Sequence, residues 1–97
     1  MSHQDPVSYL MRALAIHERV LGPEHPDTAQ SLNNLAILYH NQGKDEQAEP
    51  LYQRALAIYE RMLGPEHPYT KATQKSYAEL LQKMGRGTET AELRDEG

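Results

Sequence analysis

The sequence predicts an all-α protein built from repeated helical hairpins, and three observations support this fold class. The hexapeptide LGPEHP occurs at residues 21–26 and again at residues 63–68, which sets a period of 42 residues. Fixed periods of about 20 to 50 residues are typical of solenoids, whose units bury their apolar faces only against their neighbours. Within the period, apolar residues recur at helical spacing, and no segment alternates apolar and polar residues convincingly as a strand does. We therefore expect a short α-solenoid.

The repeat extends well beyond the hexapeptide. Residues 13–26, ALAIHERVLGPEHP, match residues 55–68, ALAIYERMLGPEHP, and differ only at His17/Tyr59 and Val20/Met62. Weaker agreement continues toward the C-terminus. A catalytic loop has no reason to recur at a fixed interval, whereas a corner between stacked units must be rebuilt each time the chain turns.

The first predicted helix covers residues 6–21. Asp5 can act as its N-cap, and Pro6 suits the first helical position because the amide that proline lacks would have no partner there.

The next two predicted helices form one hairpin over residues 28–63. In the first of them, Leu32, Leu35 and Ala36 begin a stripe at helical spacing. Gly43 can end that helix in a left-handed conformation, and the second helix begins at Asp45 or Glu46. The apolar stripe of the second helix comprises Ala48, Leu51, Tyr52, Ala55, Tyr59 and Met62. Because the connection is short, the two helices must be antiparallel.

Each copy of the hexapeptide predicts a helix end, a corner and a helix start. Gly22 and Gly64 can end a helix in a left-handed conformation, and the prolines that follow them prevent its continuation. Pro26 and Pro68 suit the first turn of the next helix. Asp27 places a carboxylate at the positive end of that helix. A further helix is expected over residues 70–84, followed by a short polar one over residues 88–95.

Residues 31–68 resemble the tetratricopeptide repeat in its 42-residue form, which occurs in kinesin light chains and many bacterial repeat proteins. The large and small residues that stand where the pattern of the family places them are Leu32, Leu35, Ala36, Tyr39, Ala48, Tyr52 and Ala55. The resemblance implies a right-handed α-solenoid of one domain. Residues 6–21 would be the second helix of a partial repeat, residues 28–63 a complete repeat, and residues 70–95 a partial or degenerate repeat. Gln74 departs from the pattern, because a large apolar residue is expected there.

Composition excludes several classes of function. The formal charge of −4 and the isoelectric point near 5.7 provide no basic surface for nucleic acid. No apolar run approaches the roughly 20 residues that span a bilayer, and no secretion signal is evident. We therefore expect a soluble cytoplasmic protein that binds neither nucleic acid nor membrane. The absence of cysteine excludes disulfides and thiolate chemistry.

No set of residues predicts an enzyme, a metal site or a cofactor. His25 and His67 occupy equivalent corners of successive units, too far apart to share one zinc ion, so each is expected to bond to helix-end backbone instead. His17 lies on a packing stripe at the boundary of the core. No serine lies in a nucleophile motif, and no phosphate-binding glycine loop is present. Adjacent acidic pairs diverge around a helix and do not converge on a substrate.

The resemblance instead implies protein–protein interaction along a concave groove that the first helix of each unit lines. The residues expected to project into this peptide-binding groove are Gln30, Asn33, Asn34, Ile37, His40, Asn41, Lys75, Glu79, Gln82 and Lys83. Short amides can donate to and accept from an extended peptide backbone, and lysines attract acidic residues. Asn33 and Ile37 stand where relatives that capture a C-terminal carboxylate have lysine and asparagine, so that mode of binding is not expected.

Self-assembly is the alternative function. The predicted chain begins with an unpaired second helix and contains an unpaired first helix near its other end, and these ends are complementary. The apolar residues expected to be exposed in an isolated monomer are Leu10, Leu14, Ile16, Tyr77, Leu80, Leu81 and Met84. A homo-oligomer would form as an open end-to-end superhelix or as a closed dimer with exchanged helices.

Overall fold

The computed structural model describes residues 5–85, and it confirms the all-α prediction. The helices in this range are α1 (Pro6–Val20), α2 (Pro26–Asn41), α3 (Asp45–Leu63) and α4 (Pro68–Lys83), and no strand occurs between residues 5 and 85. Each helix packs antiparallel against the helix that precedes it in the chain: residues early in α2 contact residues late in α3, for example. The short helix predicted over residues 88–95 lies outside the described residues.

Three of the four helices begin with a side-chain cap followed by proline. The Asp5 carboxylate accepts a hydrogen bond of 3.3 Å from the backbone N–H of Val7, as its predicted role as N-cap of α1 requires. Nδ1 of His25 accepts one of 3.0 Å from Asp27 N–H, and Nδ1 of His67 accepts one of 3.0 Å from Tyr69 N–H. Both corner histidines therefore satisfy a backbone donor at a helix start, as expected from the sequence.

The end of α3 shows why glycine recurs in the corner. Gly64 has φ 95° and ψ 156°. A left-handed conformation was expected and is wrong for Gly64: its φ is positive, but its ψ lies outside the left-handed helical region and within a region that essentially only glycine occupies. Gly22 has the same φ to within a degree, at 96°. The chain therefore leaves the helix in a more extended direction than a left-handed helical cap would give.

Two apolar clusters hold the helices together. The first joins α2 to α3 and consists of Ala29, Leu32, Ala55, Ile58 and Tyr59. The second joins α2, α3 and α4 and consists of Ala36, Ala48, Tyr52 and Leu80. The four alanines in these clusters are fully buried. Their small side chains let the helix backbones approach closely enough for the neighbouring large side chains to interdigitate.

One apolar residue that was expected to be exposed, Leu80, is buried in the structure. Leu80 was expected on an open face, but its exposed fraction is 0% because α4 packs over the end of the α2–α3 hairpin and directs this side chain into the second cluster. Tyr77 and Met84 are partly covered by the same cluster, and Leu14 by the first one. Leu10 and Leu81 are also only partly exposed.

Ile16 of α1 is an apolar residue that was expected to be exposed, and it is exposed in the structure. Its exposed fraction is 47%, whereas Ile58, which occupies the same position in the next unit, is 3% exposed. Among the described residues, α1 contacts α2 and no helix covers the other face of α1.

Candidate functional site

The two predicted first helices, α2 and α4, lie side by side and run in the same direction. Thr73 of α4 is buried, and its hydroxyl donates a hydrogen bond of 3.3 Å to Oδ1 of Asn33 on α2. Asn33 is therefore oriented toward the neighbouring helix, while Asn34, the next residue, is exposed. This contact fixes the spacing of the two helices where the polar residues of α2 face α4.

A depression of ≈150 Å³ opens between the helices at this point. The three amides Gln30, Asn33 and Asn34 form its α2 side. The remaining lining residues come from the end of α3 and the start of α4, and they are Tyr59, Tyr69, Ala72 and Thr73. We refer to these seven residues as the α2/α4 depression. Three short amides are thus gathered next to an aromatic and small-residue surface.

Tyr69 forms an aromatic wall of the depression. Its exposed fraction is 60%, yet its ring contacts two neighbouring rings. The ring centroid lies 4.8 Å from that of His67 in an edge-on arrangement and 5.9 Å from that of Tyr59 in a tilted one. These are favourable aromatic geometries, so the ring is oriented before any partner binds.

The hydroxyl of Tyr59 cannot easily ionise. Burial, and then the nearby Tyr69 and Asp27, raise the pKa of Tyr59 above its usual value. A neutral phenol can donate or accept a hydrogen bond, but it provides no base near neutral pH. The α2/α4 depression therefore presents neutral hydrogen-bonding groups beside aromatic surface.

The other predicted groove residues are more dispersed. On α2, Ile37 packs partly against the second apolar cluster, and Asn41 is exposed. Nδ1 of His40 lies 3.5 Å from Oδ1 of Asp45, and Nζ of Lys83 lies 3.9 Å from the same oxygen. His40 and Lys83 thus converge on the start of α3, away from the amides.

The remaining predicted residues lie on α4. Lys75, Glu79 and Gln82 are exposed at helical spacing, on the stripe that begins at Ala72. Glu79 is close enough to the hydroxyl of Tyr52 for its negative charge, together with the larger effect of burial, to raise the pKa of that tyrosine.

Comparison with known protein families agrees with this helical arrangement. A family model described as tetratricopeptide repeat matches residues 3–61 and residues 39–89. The chain belongs to the tetratricopeptide repeat family. Repeats of this family generally mediate protein–protein interactions.

Curated relatives match up to about half of this tetratricopeptide repeat chain. Nephrocystin-3 of Xenopus laevis is 48% identical over 47 residues, which is 48% of this chain and 4% of that protein. The clustered mitochondria protein of Arabidopsis thaliana is 49% identical over 37 residues, or 38% of this chain and 3% of that protein. Protein fem-1 homolog A of Homo sapiens is 39% identical over 49 residues, or 50% of this chain and 7% of that protein. The chain thus spans only a small part of each relative.

The tetratricopeptide repeat chain has a larger concavity on the opposite side, where the second helices α1 and α3 flank α2. Its volume is ≈560 Å³, and its lining includes Met11, Leu35, Tyr39, Pro50 and Leu51.

In the described part of the chain, no group of three His, Cys, Asp or Glu side chains is placed to hold a metal ion. None of the helices between residues 5 and 85 combines the length and hydrophobicity needed to cross a bilayer.

Sequence reasoning did not place Tyr59, Tyr69, Ala72 or Thr73 at the site, and Tyr69 is the most informative of these omissions. Helical periodicity identifies buried stripes, and an exposed tyrosine in the first turn of a helix belongs to none of them. A signal was nevertheless present, because Tyr69 follows the second LGPEHP directly, where the first copy is followed by Asp27. The hexapeptide is the same in both places although the next residue differs, so a tyrosine at this position is not required to form the corner.

Proposed function

We propose that this chain is a non-catalytic protein-interaction module that binds an extended peptide segment between α2 and α4. The observation that supports the proposal most directly is the row of amides Gln30, Asn33 and Asn34, which lies beside the exposed ring of Tyr69 across an open depression. The general role of the family in protein–protein interaction supports the same function.

Amides suit this task because each one offers both a donor and an acceptor. An extended backbone presents alternating N–H and C=O groups, so exposed asparagine and glutamine side chains can pair with it whatever the peptide side chains are. Asn33 is already engaged by Thr73, which leaves Asn34 and Gln30 as the exposed amides available to a peptide. Lys75, one helical turn beyond Ala72, adds attraction for an acidic residue of the partner.

The test is selection from a random twelve-residue peptide display library, followed by affinity measurements on the selected peptides by fluorescence anisotropy. Asn34→Ala should weaken their binding by about fivefold to tenfold, because one exposed amide contributes about one net hydrogen bond. Gln47→Ala is the matched control, since Gln47 is an exposed helical amide on the opposite side of the molecule. Peptides whose affinity is unchanged by Asn34→Ala, or a library that yields no binder, would contradict the proposal.

Self-assembly is the second candidate, and the exposure of α1 favours it. Ile16 is 47% exposed where its counterpart Ile58 is 3% exposed under α2. A helix resembling α2 would cover Ile16, and α4 of a second copy is a first helix of the same type. The partner in this case would be another copy of the chain, and the assembly would extend the row of first helices.

Sedimentation velocity over a wide concentration range tests this alternative. Self-association should appear as a mass that rises with concentration, and Ile16→Gln should reduce it because the apolar contact is lost. Met62→Gln is the control, because Met62 is 46% exposed but lies on α3. A monomeric mass at every concentration would reject self-assembly.

Two narrower expectations from the sequence also stay predictions. The formal charge of −4 supports the absence of nucleic-acid binding, which a gel-shift assay with DNA and RNA would check. A cytoplasmic location would be checked by imaging the tagged protein in cells.

A further inference from the structure

We infer that a second copy of the chain docks head to tail, with its α1 packed on α4 of the first copy as α3 packs on α2. The inference rests on self-assembly, the second candidate function above, and adds to it the orientation and register of the contact. The evidence is a pattern of arginines and glutamates that recurs with the 42-residue period. In the described part of one chain, this pattern leaves arginines at one end and glutamates at the other.

Two ion pairs join the first unit to the second. Nη2 of Arg54 on α3 lies 2.9 Å from Oε2 of Glu18 on α1. Nη1 of Arg61, also on α3, lies 2.7 Å from Oε1 of Glu24 in the corner that follows α1. In both pairs the glutamate belongs to the earlier unit and the arginine to the later one. The pairs therefore have a direction along the stack of helices.

The arginines of this pattern recur on α1. Arg12 and Arg19 occupy the positions that Arg54 and Arg61 have in the next unit. Both are exposed, and between residues 5 and 85 neither lies in an ion pair. Glutamates of a unit placed before α1 would complete these two pairs.

The glutamates of the pattern recur at the other end of the hairpin. Glu60 and Glu66 occupy the positions of the two glutamates that are paired in the first unit, and both are exposed. Gln74 donates a hydrogen bond of 3.4 Å to Oε2 of Glu60, which leaves the carboxylate charge in place. Nζ of Lys71 lies 3.1 Å from Oε1 of Glu66, whose side chain is nevertheless 84% exposed. Both carboxylates are therefore accessible to a following unit.

The two ends match in sign and in register. When α1 of the second copy lies on α4, its Arg12 and Arg19 reach Glu60 and Glu66 of the first copy through the arrangement already present within each chain. Each exposed pair contributes little affinity by itself, but two pairs in a fixed register select one orientation. Different surfaces meet in this contact, so the assembly is heterologous.

The same docking covers apolar positions that are exposed in a single chain. Ile16 is 47% exposed, whereas its counterpart Ile58 is 3% exposed under α2. On α4, the exposed Ala78 occupies the position of Ala36, which is 0% exposed where α3 crosses α2. An alanine here leaves room for the backbone of another helix, and α1 of the second copy would use it.

The docked contact is more polar than the α2–α3 hairpin on which it is based. Lys71 and Gln74 occupy the positions of Ala29 and Leu32, which are buried in the same cluster as Ile58. The apolar match is therefore confined to the part of α4 beyond these two residues. We expect reversible association that weakens as salt screens the two ion pairs.

The direct test is sedimentation velocity on two charge-reversal variants. The first carries Arg12→Glu and Arg19→Glu, and the second carries Glu60→Arg and Glu66→Arg. Each variant alone should associate about tenfold more weakly than the unmodified chain or worse, because two attractive contacts become repulsive. An equimolar mixture should regain association, since the acidic α1 of the first variant then meets the basic end of the second. Association that survives reversal, or that mixing does not restore, would overturn the docking.

Lys44→Glu with Lys75→Glu is the matched control. It changes the net charge as much as the first variant does, at exposed residues outside the docked contact, and it should leave association unchanged. An equal loss in this control would assign the effect to net charge and overturn the docking. All the reversed residues are exposed, so circular dichroism should show the same helix content in every variant.

The outcomes also separate this docking from the function on which it rests. A monomeric mass of the unmodified chain at every concentration would overturn self-assembly and the docking together. Association that persists in both charge-reversal variants would overturn the docking alone and leave self-assembly by another surface. Peptide binding that depends on Asn34 is measured separately and does not enter either result.

Discussion

One threonine hydroxyl is bonded in the first corner and unbonded in the second, although the two hexapeptides are identical. Thr28 is buried and donates a hydrogen bond of 2.7 Å to the backbone carbonyl of Gly22. Thr70 occupies the equivalent position and is equally buried, but its hydroxyl has no partner among the described residues. A buried hydroxyl without a partner costs free energy, whereas a bonded one contributes about 1 kcal/mol. The same residue type should therefore have opposite effects on stability in the two corners.

Valine substitutions test this difference, because valine has nearly the shape of threonine without its hydroxyl. Thr28→Val should lower the free energy of unfolding by about 1 kcal/mol, since the Gly22 carbonyl loses its partner. Thr70→Val should leave it unchanged or raise it slightly. Urea denaturation of both variants beside the unmodified chain measures the two effects, and each variant serves as the control for the other. Equal losses in the two variants would contradict the assignment.

At the scale of elements, α3 departs most from an ideal helix. Pro50 lies within it, where it lacks the N–H that would donate to the carbonyl of Glu46 and where its ring opposes that carbonyl. The helix nevertheless continues to Leu63. We attribute this to its packing, because Ala48, Tyr52 and Ala55 on both sides of the proline are buried against α2 and α4. Tertiary contacts here outweigh a poor local propensity.

Replacement of this proline should stabilise the chain. Pro50 is exposed, so Pro50→Ala loses little packing while it restores one backbone hydrogen bond, and the free energy of unfolding should rise by about 1 to 3 kcal/mol. Pro65→Ala is the control, because Pro65 lies in the corner outside any helix, and its replacement should cost up to about 1 kcal/mol through the unfolded chain. Thermal unfolding followed by circular dichroism compares the two. A lower midpoint for Pro50→Ala would show that the proline is not a defect of α3.

At the scale of the whole molecule, the sequence predicted the order of the helices and the role of the corners, because both are set by local rules. A 42-residue period, helical spacing and the proline and glycine positions need no knowledge of long-range contacts. The exposure of Leu80 was predicted wrongly, since it depends on how α4 lies over the preceding hairpin. The position of Tyr69 was missed for the same reason, because only the approach of α4 to α2 brings its ring beside the amides.

Packing of the whole chain also determines how its stability should respond to high pH. Burial raises the pKa of Tyr52, with a further contribution from Glu79 that exceeds the opposing hydrogen bond from Ser76. The pKa of Tyr59 is raised by burial as well. In the unfolded chain both phenols ionise near pH 10, so above that pH the folded state holds protons that the unfolded state has released. The part of the stability that depends on these two phenols is therefore fully present below about pH 10. It is lost as the pH rises through their higher pKa values in the folded chain.

Urea denaturation at about pH 9 and about pH 11 should show this loss, and substitution to phenylalanine isolates its source. The double variant Tyr52→Phe, Tyr59→Phe should lose less stability between the two conditions than the unmodified chain does, because its buried rings have nothing to ionise. Tyr9→Phe is the control, since Tyr9 is 62% exposed and its replacement should leave the pH dependence unchanged. Lysine titration contributes equally to all three proteins, so it cancels in the comparison. If the double variant loses as much stability as the unmodified chain, the two buried phenols are not responsible for alkaline destabilisation.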